Sequence, residues 1–181
     1  MPIMAQSPCW RKPDYPITRP LDYLITRSPD HLITLFGAFP LDSLFFHTHI
    51  AVRFKDIDAM GHVNNAVFTT YFEEARAAFC REVLGIRTLE AFDFLVARIE
   101  INYRRPLRYG EPLAATVRVA GVGATSFTLE YRLTVPAGDG TEVIAEGLSV
   151  QVFFDYARGV KKPVPAAFLK QSRGYFAPGV A

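Results

Sequence analysis

Val52-Arg53-Phe54-Lys55-Asp56-Ile57-Asp58-Ala59-Met60-Gly61-His62-Val63-Asn64-Asn65-Ala66-Val67-Phe68 is the stretch on which the reading of this chain turns. It begins in a β pattern and ends in a helical one. Upstream, His47 to Phe54 alternates, with Thr48, Ile50, Val52 and Phe54 on one face, the two-residue period of a strand. Downstream, Phe68, Phe72, Ala75, Phe79 and Val83 recur at helical spacing, with Glu73, Arg76 and Arg81 off that stripe. Asn64 or Asn65 is the expected N-cap, and Gly85 the expected residue past the C-terminus, where a positive φ is wanted. Two carboxylates, a histidine and two asparagines thus fall in one strand-to-helix turn.

Four more strand patterns follow. Phe94 to Tyr103 carries Ile99, Ile101 and Tyr103 on one face and Arg98, Glu100 and Asn102 on the other. Leu113 to Val119, Phe127 to Val135 and Val143 to Phe154 complete the set. Short connections rich in turn formers, such as Gly121-Val122-Gly123 and Gly138-Asp139-Gly140, predict antiparallel neighbours. The order β-α-β-β-β-β leaves one long amphipathic helix to be covered, and a sheet wrapped around it is the simplest solution. The class is α+β. A domain this small with open sheet edges gains from pairing with a second copy.

The first 45 residues read differently. They hold seven of the 13 prolines and a repeat of eight residues: Asp14-Tyr15-Pro16-Ile17-Thr18-Arg19, Asp22-Tyr23-Leu24-Ile25-Thr26-Arg27, Asp30-His31-Leu32-Ile33-Thr34. That period is too short for a solenoid unit, and the prolines oppose a helix. Residues 1–45 are expected to be a disordered or loosely attached extension, with the folded domain at 46–181. Translation from a start assigned too early would produce such a segment, and an intact Met1 in the natively produced protein would refute that origin.

Composition narrows the function classes. The net charge of +2, with basic residues spread along the chain, carries no nucleic-acid footprint. No run approaches the ~20 apolar residues of a membrane span, nor is there the pattern of a cleaved leader. Cys9 and Cys80 are expected to be free thiols, and the protein cytoplasmic. His47 and His49 share a strand face but lack a third ligand at useful spacing, so no metal is expected. Cys80 falls within the helix, in a packing position rather than a nucleophile's. No Gly-rich phosphate loop and no Gly-x-Ser-x-Gly elbow is present.

Chemistry therefore concentrates in the turn. A carboxylate ahead of a helix sees the positive end of the helix dipole and unpaired backbone N–H groups. The same N–H groups can hold a carbonyl oxygen that is becoming an oxyanion. Thioester cleavage needs little more, because a thiolate leaves readily. An Asp in this place is also the ordinary helix cap, and His62, Asn64 and Asn65 are ordinary turn residues. The residues alone leave both roles open.

The string Asp56-x-Asp58-x-Met60-Gly61-His62-Val63-Asn64-Asn65, followed by Tyr71-Phe72-Glu73-Glu74-Ala75-Arg76, resembles the signature of the 4-hydroxybenzoyl-CoA thioesterase-like branch of the hotdog superfamily. Tyr103-Arg104-Arg105-Pro106-Leu107, Gly123-x-x-Ser126-Phe127 and Lys162-Pro163-Val164-Pro165 extend the likeness over about residues 47 to 170. The resemblance implies a hotdog fold, a five-stranded antiparallel sheet around one central helix, assembled as a homodimer or homotetramer with sites at the dimer interface. It implies hydrolysis of acyl-CoA, with Asp58 as nucleophile or general base and the backbone amide around Asn65 polarising the thioester carbonyl. His62 coincides with a histidine of plant acyl-carrier-protein thioesterases and is a second candidate for orienting substrate or water. Substrate contacts are expected from Gly61, Val63, Asn64, Tyr71, Thr125, Ser126 and Arg104, with no cofactor. Ala124 stands where relatives often carry a basic residue, which leaves phosphate contacts to Arg104, Arg105 and Arg108. An acyl-carrier-protein substrate, a non-hydrolytic acyl-CoA-binding module and a dehydratase are the alternatives. The dehydratase lacks its Asp and His string.

Overall fold

A computed structural model describes residues 44–180. The expectation of an extension over residues 1–45 therefore lies, apart from its last two residues, outside the described part. Strand β1 (Phe46–Ile50) leads through a 3-10 turn (Phe54–Asp56) to helix α1 (Val67–Glu82). Strands β2 (Phe94–Tyr103), β3 (Leu113–Val122), β4 (Ser126–Ala137) and β5 (Gly140–Asp155) follow, then the two-residue β6 (Val160–Lys161) and helix α2 (Ala166–Ser172). The main sheet runs β1-β3-β4-β5-β2, antiparallel throughout, with β6 appended to the far end of β5. This is the hotdog arrangement, with α1 held in the curl of the sheet.

The helix sits where its apolar stripe dictates. Phe68, Phe72, Ala75 and Phe79 are buried against the sheet, and the Phe72 ring stacks on Tyr131 of β4 at 4.5 Å. Gly147 of β5 permits that approach. A Cβ there would lie 2.0 Å from the Glu100 carbonyl oxygen and 2.8 Å from the Phe72 ring. Past the helix, Gly85 adopts φ 67°, as its place in the sequence predicts, and the Ile86 N–H reaches back to the Cys80 carbonyl.

Four local expectations are corrected. Strand β1 stops at Ile50 rather than Phe54, because the Arg53 side chain and backbone both turn onto the Asp56 carboxylate and wind residues 54–56 into a 3-10 turn; Phe54 is left on the surface. Neither Asn64 nor Asn65 is the residue directly before the helix. That is Ala66, whose N–H donates to Asn64 Oδ1 at 2.9 Å, so the asparagine caps the turn instead. Arg76 is buried although it falls off the apolar stripe. Helix α2 was not expected from periodicity, since its seven residues bury only Phe168 and Ser172.

Strand β2 forms one edge. Its register sets Ile99, Ile101 and Tyr103 opposite Ser149, Gly147 and Ala145, on the helix-facing side. Yet Leu95, Val96 and Ile99 are each 37% exposed and Tyr103 is 45% exposed. An apolar edge strand this open is unusual for a chain that works alone. No helix among the described residues is long and apolar enough to cross a membrane.

Candidate active site

The turn between β1 and α1 is a small closed hairpin. Asn64 N–H donates to the Asp56 carbonyl at 2.9 Å, Asp58 N–H to the His62 carbonyl at 2.8 Å, and Gly61 N–H to the Asp58 carbonyl at 3.0 Å. Gly61, at φ 80°, supplies the left-handed residue that closes a type I turn with a bulge. Val63 is buried and its N–H binds the Leu107 carbonyl at 2.8 Å, so the hairpin is tied to the β2–β3 connection.

The two carboxylates are held differently. Asp56 is buried. Its oxygens accept from Arg53 Nε at 3.1 and 3.2 Å, the Arg53 backbone N–H at 2.9 Å and the Tyr71 hydroxyl at 2.9 Å. Burial pushes its pKa up, but these hydrogen bonds outweigh burial and hold the carboxyl below the usual carboxylate range. Asp58 is half-buried. One oxygen, Oδ1, accepts from the Met60 N–H at 2.8 Å and the His62 N–H at 3.3 Å, while Oδ2 takes no hydrogen bond among the described residues.

A cleft of about 330 Å³ opens beside this hairpin, lined by Met60, His62, Val63 and Asn65 from the turn, Phe68 from α1, and residues 103–106 after β2. Asp58 is not itself in the wall; the residues that follow it are. The Asn65 N–H has no partner among the described residues, whereas the next three N–H groups donate to Asn64 Oδ1, the Asn64 carbonyl and the Asn65 carbonyl. Tyr103, which the sequence placed on a strand face and at the head of the Tyr103-Arg104-Arg105-Pro106-Leu107 string but not among the site residues, fixes this corner: its hydroxyl donates to the Asn65 carbonyl at 3.0 Å and its ring meets Phe68 edge-on at 5.1 Å. The signal that could have found it was Tyr103 at the end of a strand, beside Arg104-Arg105-Pro106.

Other expected site residues stand apart. Tyr71 does not line the cleft: its ring is fully buried and its hydroxyl serves Asp56. Arg104 lines the cleft but is ion-paired with Glu146, and Arg105 is ion-paired with Glu111 and Glu142. Gly61 shapes the hairpin and Asn64 caps it. Thr125 and Ser126 lie at the β3–β4 turn, where Ser126 pairs with Val152, itself the partner of Leu95. They are thus at the opposite end of the sheet from Tyr103, and one chain does not bring them to Asp58. A second cavity of about 140 Å³ lies near Phe94 and Phe168; its only carboxylate, Asp93, is paired with Lys162 at 2.8 Å. Cys80 is a free, buried thiol, pushed up to about 12 by that burial. Among the described residues no group of three or more His, Cys, Asp or Glu side chains is placed to hold a metal.

Comparison with known proteins adds three findings. The family model of the thioesterase-like superfamily matches residues 52–172. Among curated proteins, YsmA of Bacillus subtilis is 32% identical over 89 residues, 49% of this chain and 60% of the relative, so the match spans less than two thirds of that protein. The long-chain acyl-CoA thioesterase FadM of Escherichia coli is 32% identical over 111 residues, 60% of this chain and 82% of FadM. Among solved structures, a Thermus thermophilus thioesterase complexed with coenzyme A and Zn is 36% identical with a TM-score of 0.62, covering 71% of this chain and 92% of that one.

Proposed function

This chain belongs to the thioesterase-like superfamily, and from that premise we propose that it hydrolyses acyl-CoA thioesters to the free acid and CoA, with Asp58 as the working carboxylate. The observation that carries the reading is the pairing, in one strand-to-helix turn, of a carboxylate oxygen and a helix-start amide that both lack a partner among the described residues, beside an open cleft. The thioester carbonyl oxygen accepts the Asn65 N–H, which favours the oxygen more as it gains charge. Asp58 either attacks the carbonyl carbon, so that CoA thiolate leaves from an acyl-aspartyl intermediate that water then cleaves, or removes a proton from the water that attacks. Both routes consume one water and return one acid and one thiol. His62, in the cleft wall, orients the substrate or that water. Met60 and Phe68 give the mouth an apolar lining.

The chain works as a homodimer in this reading, and the open edge of β2 is the support. Two copies pairing β2 against β2 about a two-fold axis near the strand's middle set each Tyr103 end beside the other copy's Leu95 end. Strands in one sheet lie about 4.8 Å apart, so the second copy's Thr125 and Ser126 come to lie two strands from that edge. In that arrangement the two residues that a single chain leaves at the far end would lie on the cleft's end of the interface, about 14 Å across the sheet from Tyr103.

The test is free-thiol release from a panel of acyl-CoAs by wild type, Asp58→Asn and Asp58→Ala. Each variant is expected to fold and to lose about 100-fold or more in kcat. Wild-type turnover by either variant removes Asp58 from the mechanism. Single turnover in heavy-oxygen water separates the two routes: label enters the Asp58 carboxylate only if that carboxylate is the nucleophile.

A further inference from the structure

Arg76 is the one charged residue that α1 buries: its Nη1 is shut off from solvent, while the residue as a whole keeps 9% of its surface exposed. It lies against the Tyr131 hydroxyl and near Cys80. Its Nη1 has no hydrogen-bond partner among the described residues, and no carboxylate there forms an ion pair with it. A cation withdrawn from water without an anion is destabilising. Three residues earlier, one helical turn away on the same flank, Glu73 is exposed and makes no hydrogen bond or ion pair among the described residues. The flank therefore carries one unanswered cation and one unanswered anion.

That flank faces the open edge. Phe68 is level with Tyr103, as their ring contact shows, and Arg76 is level with Ile99 through Tyr131 and Ser149, whose hydroxyls meet at 2.6 Å. The two spans agree: eight residues of helix rise about 12 Å, and four residues of strand about 13 Å. The point midway between Glu73 and Arg76 is about 10 Å along the helix from Phe68, which is three residues down β2 from Tyr103, at Glu100. The middle of β2 lies between Arg98 and Ile99. A two-fold axis that centres the strand pairing thus also passes within about two residues of the Glu73–Arg76 midpoint.

We propose that Glu73 of one copy is the counter-ion of Arg76 in a second copy, so that two reciprocal Glu73–Arg76 pairs lock the β2-to-β2 dimer. A two-fold interface is self-complementary by construction, and a flank bearing both signs at a spacing of three residues matches its own rotated image. The inference rests on the homodimer reading above and adds to it the residues that set its register. Each helix is thereby held against the other, and with it the Asn65 amide at its start.

Sedimentation velocity across a micromolar concentration series tests this with Glu73→Lys, a substitution at an exposed position that leaves the monomer fold intact by circular dichroism. The variant places two like charges at each contact, and the dissociation constant of the dimer is expected to rise at least tenfold. Glu73→Gln, Arg76→Gln and the double variant complete a cycle in which the double loses no more association than the worse single. Wild-type-like dimerisation by Glu73→Lys overturns the proposal, as does a wild-type chain that sediments as a monomer throughout. Thiol release measured on the same samples keeps the two readings apart. A wild-type enzyme whose dimer ignores Glu73 defeats the ion pair alone. A Glu73-dependent dimer that cleaves no acyl-CoA upholds the pair and defeats the hydrolase.

Discussion

Asp56 and Asp58 are two residues apart and differ in what surrounds them. Asp56 has both oxygens engaged in a buried cluster with Arg53 and Tyr71, and so it serves the fold. Asn in its place keeps the shape but loses the charge-assisted bonds, and Asp56→Asn is expected to cost about 2 kcal/mol, read from urea unfolding. Tyr71→Phe removes one of those bonds and is expected to cost about 1 kcal/mol. The pH dependence follows in sign. The folded-state pKa of Asp56 is lowered, so its contribution is complete above the ordinary value of 3.8 and is lost as pH falls through the lower folded value. The Asp56→Asn variant is accordingly expected to show a flatter fall in stability below pH 4 than wild type. In the proposed mechanism the working group at Asn65 is the backbone N–H. Asn65→Ala is therefore expected to keep kcat/KM within a few-fold, and a loss of about 100-fold would transfer the role to the side chain. The sequence alone could name this turn because its residue types are local signals. It could not separate the two aspartates by environment, since the partner of Asp56 that buries it, Tyr71, lies on the next element.

At the level of elements, Gly147 determines how closely α1 approaches the sheet. Gly147→Ala drives a methyl into the Glu100 carbonyl and the Phe72 ring, and the strands or the helix must part. A loss of about 3 kcal/mol is expected, with thiol release falling in step as the Asn65 corner moves away from Tyr103. Hydrogen exchange would register the parting as faster amide exchange in β2. Elements with a clean period were legible: Phe127 to Val135 alternates without interruption and lies within β4, and Phe94 to Tyr103 matches β2 to the residue. Where tertiary bonds override the period, the sequence misleads. Val52 and Phe54 continue the β1 alternation, but the Arg53–Asp56 contact bends the chain first. Arg76 reads as a solvent-facing residue by its helical angle, and only the curl of the sheet around that flank buries it.

For the whole molecule, the open edge of β2 is the dominant feature. In the proposed dimer a second copy covers its apolar side chains and the charges of Glu73 and Arg76, so the apparent stability should depend on concentration. The melting temperature is expected to rise across a hundredfold increase in protein, since a folded dimer is favoured over unfolded chains by mass action. A melting temperature that does not move with concentration would speak against the dimer. This is also the scale at which the sequence was least informative. Thr125 and Ser126 are recognisable by resemblance, but their distance from Asp58 within one chain appears only once the strand order is known.

The connection between β4 and β5 bears on how the chain reaches this form. Ala137 pairs with Gly140 across a two-residue loop whose first residue, Gly138, has φ 55°, and the ladder then runs back to Ser126 and Val152. Such a hairpin closes with almost no loop entropy. By contrast, β1 reaches β3 only by joining Ile50 to Leu113, with the helix and β2 lying between them in the chain. Folding should therefore start from the long hairpin and finish with β1. Substitutions at Gly138 are expected to slow refolding, whereas Ile50→Val should chiefly hasten unfolding. The Asp56–Asn64 hairpin directly follows β1, so the turn that carries Asp58 would be among the last parts of the chain to take shape.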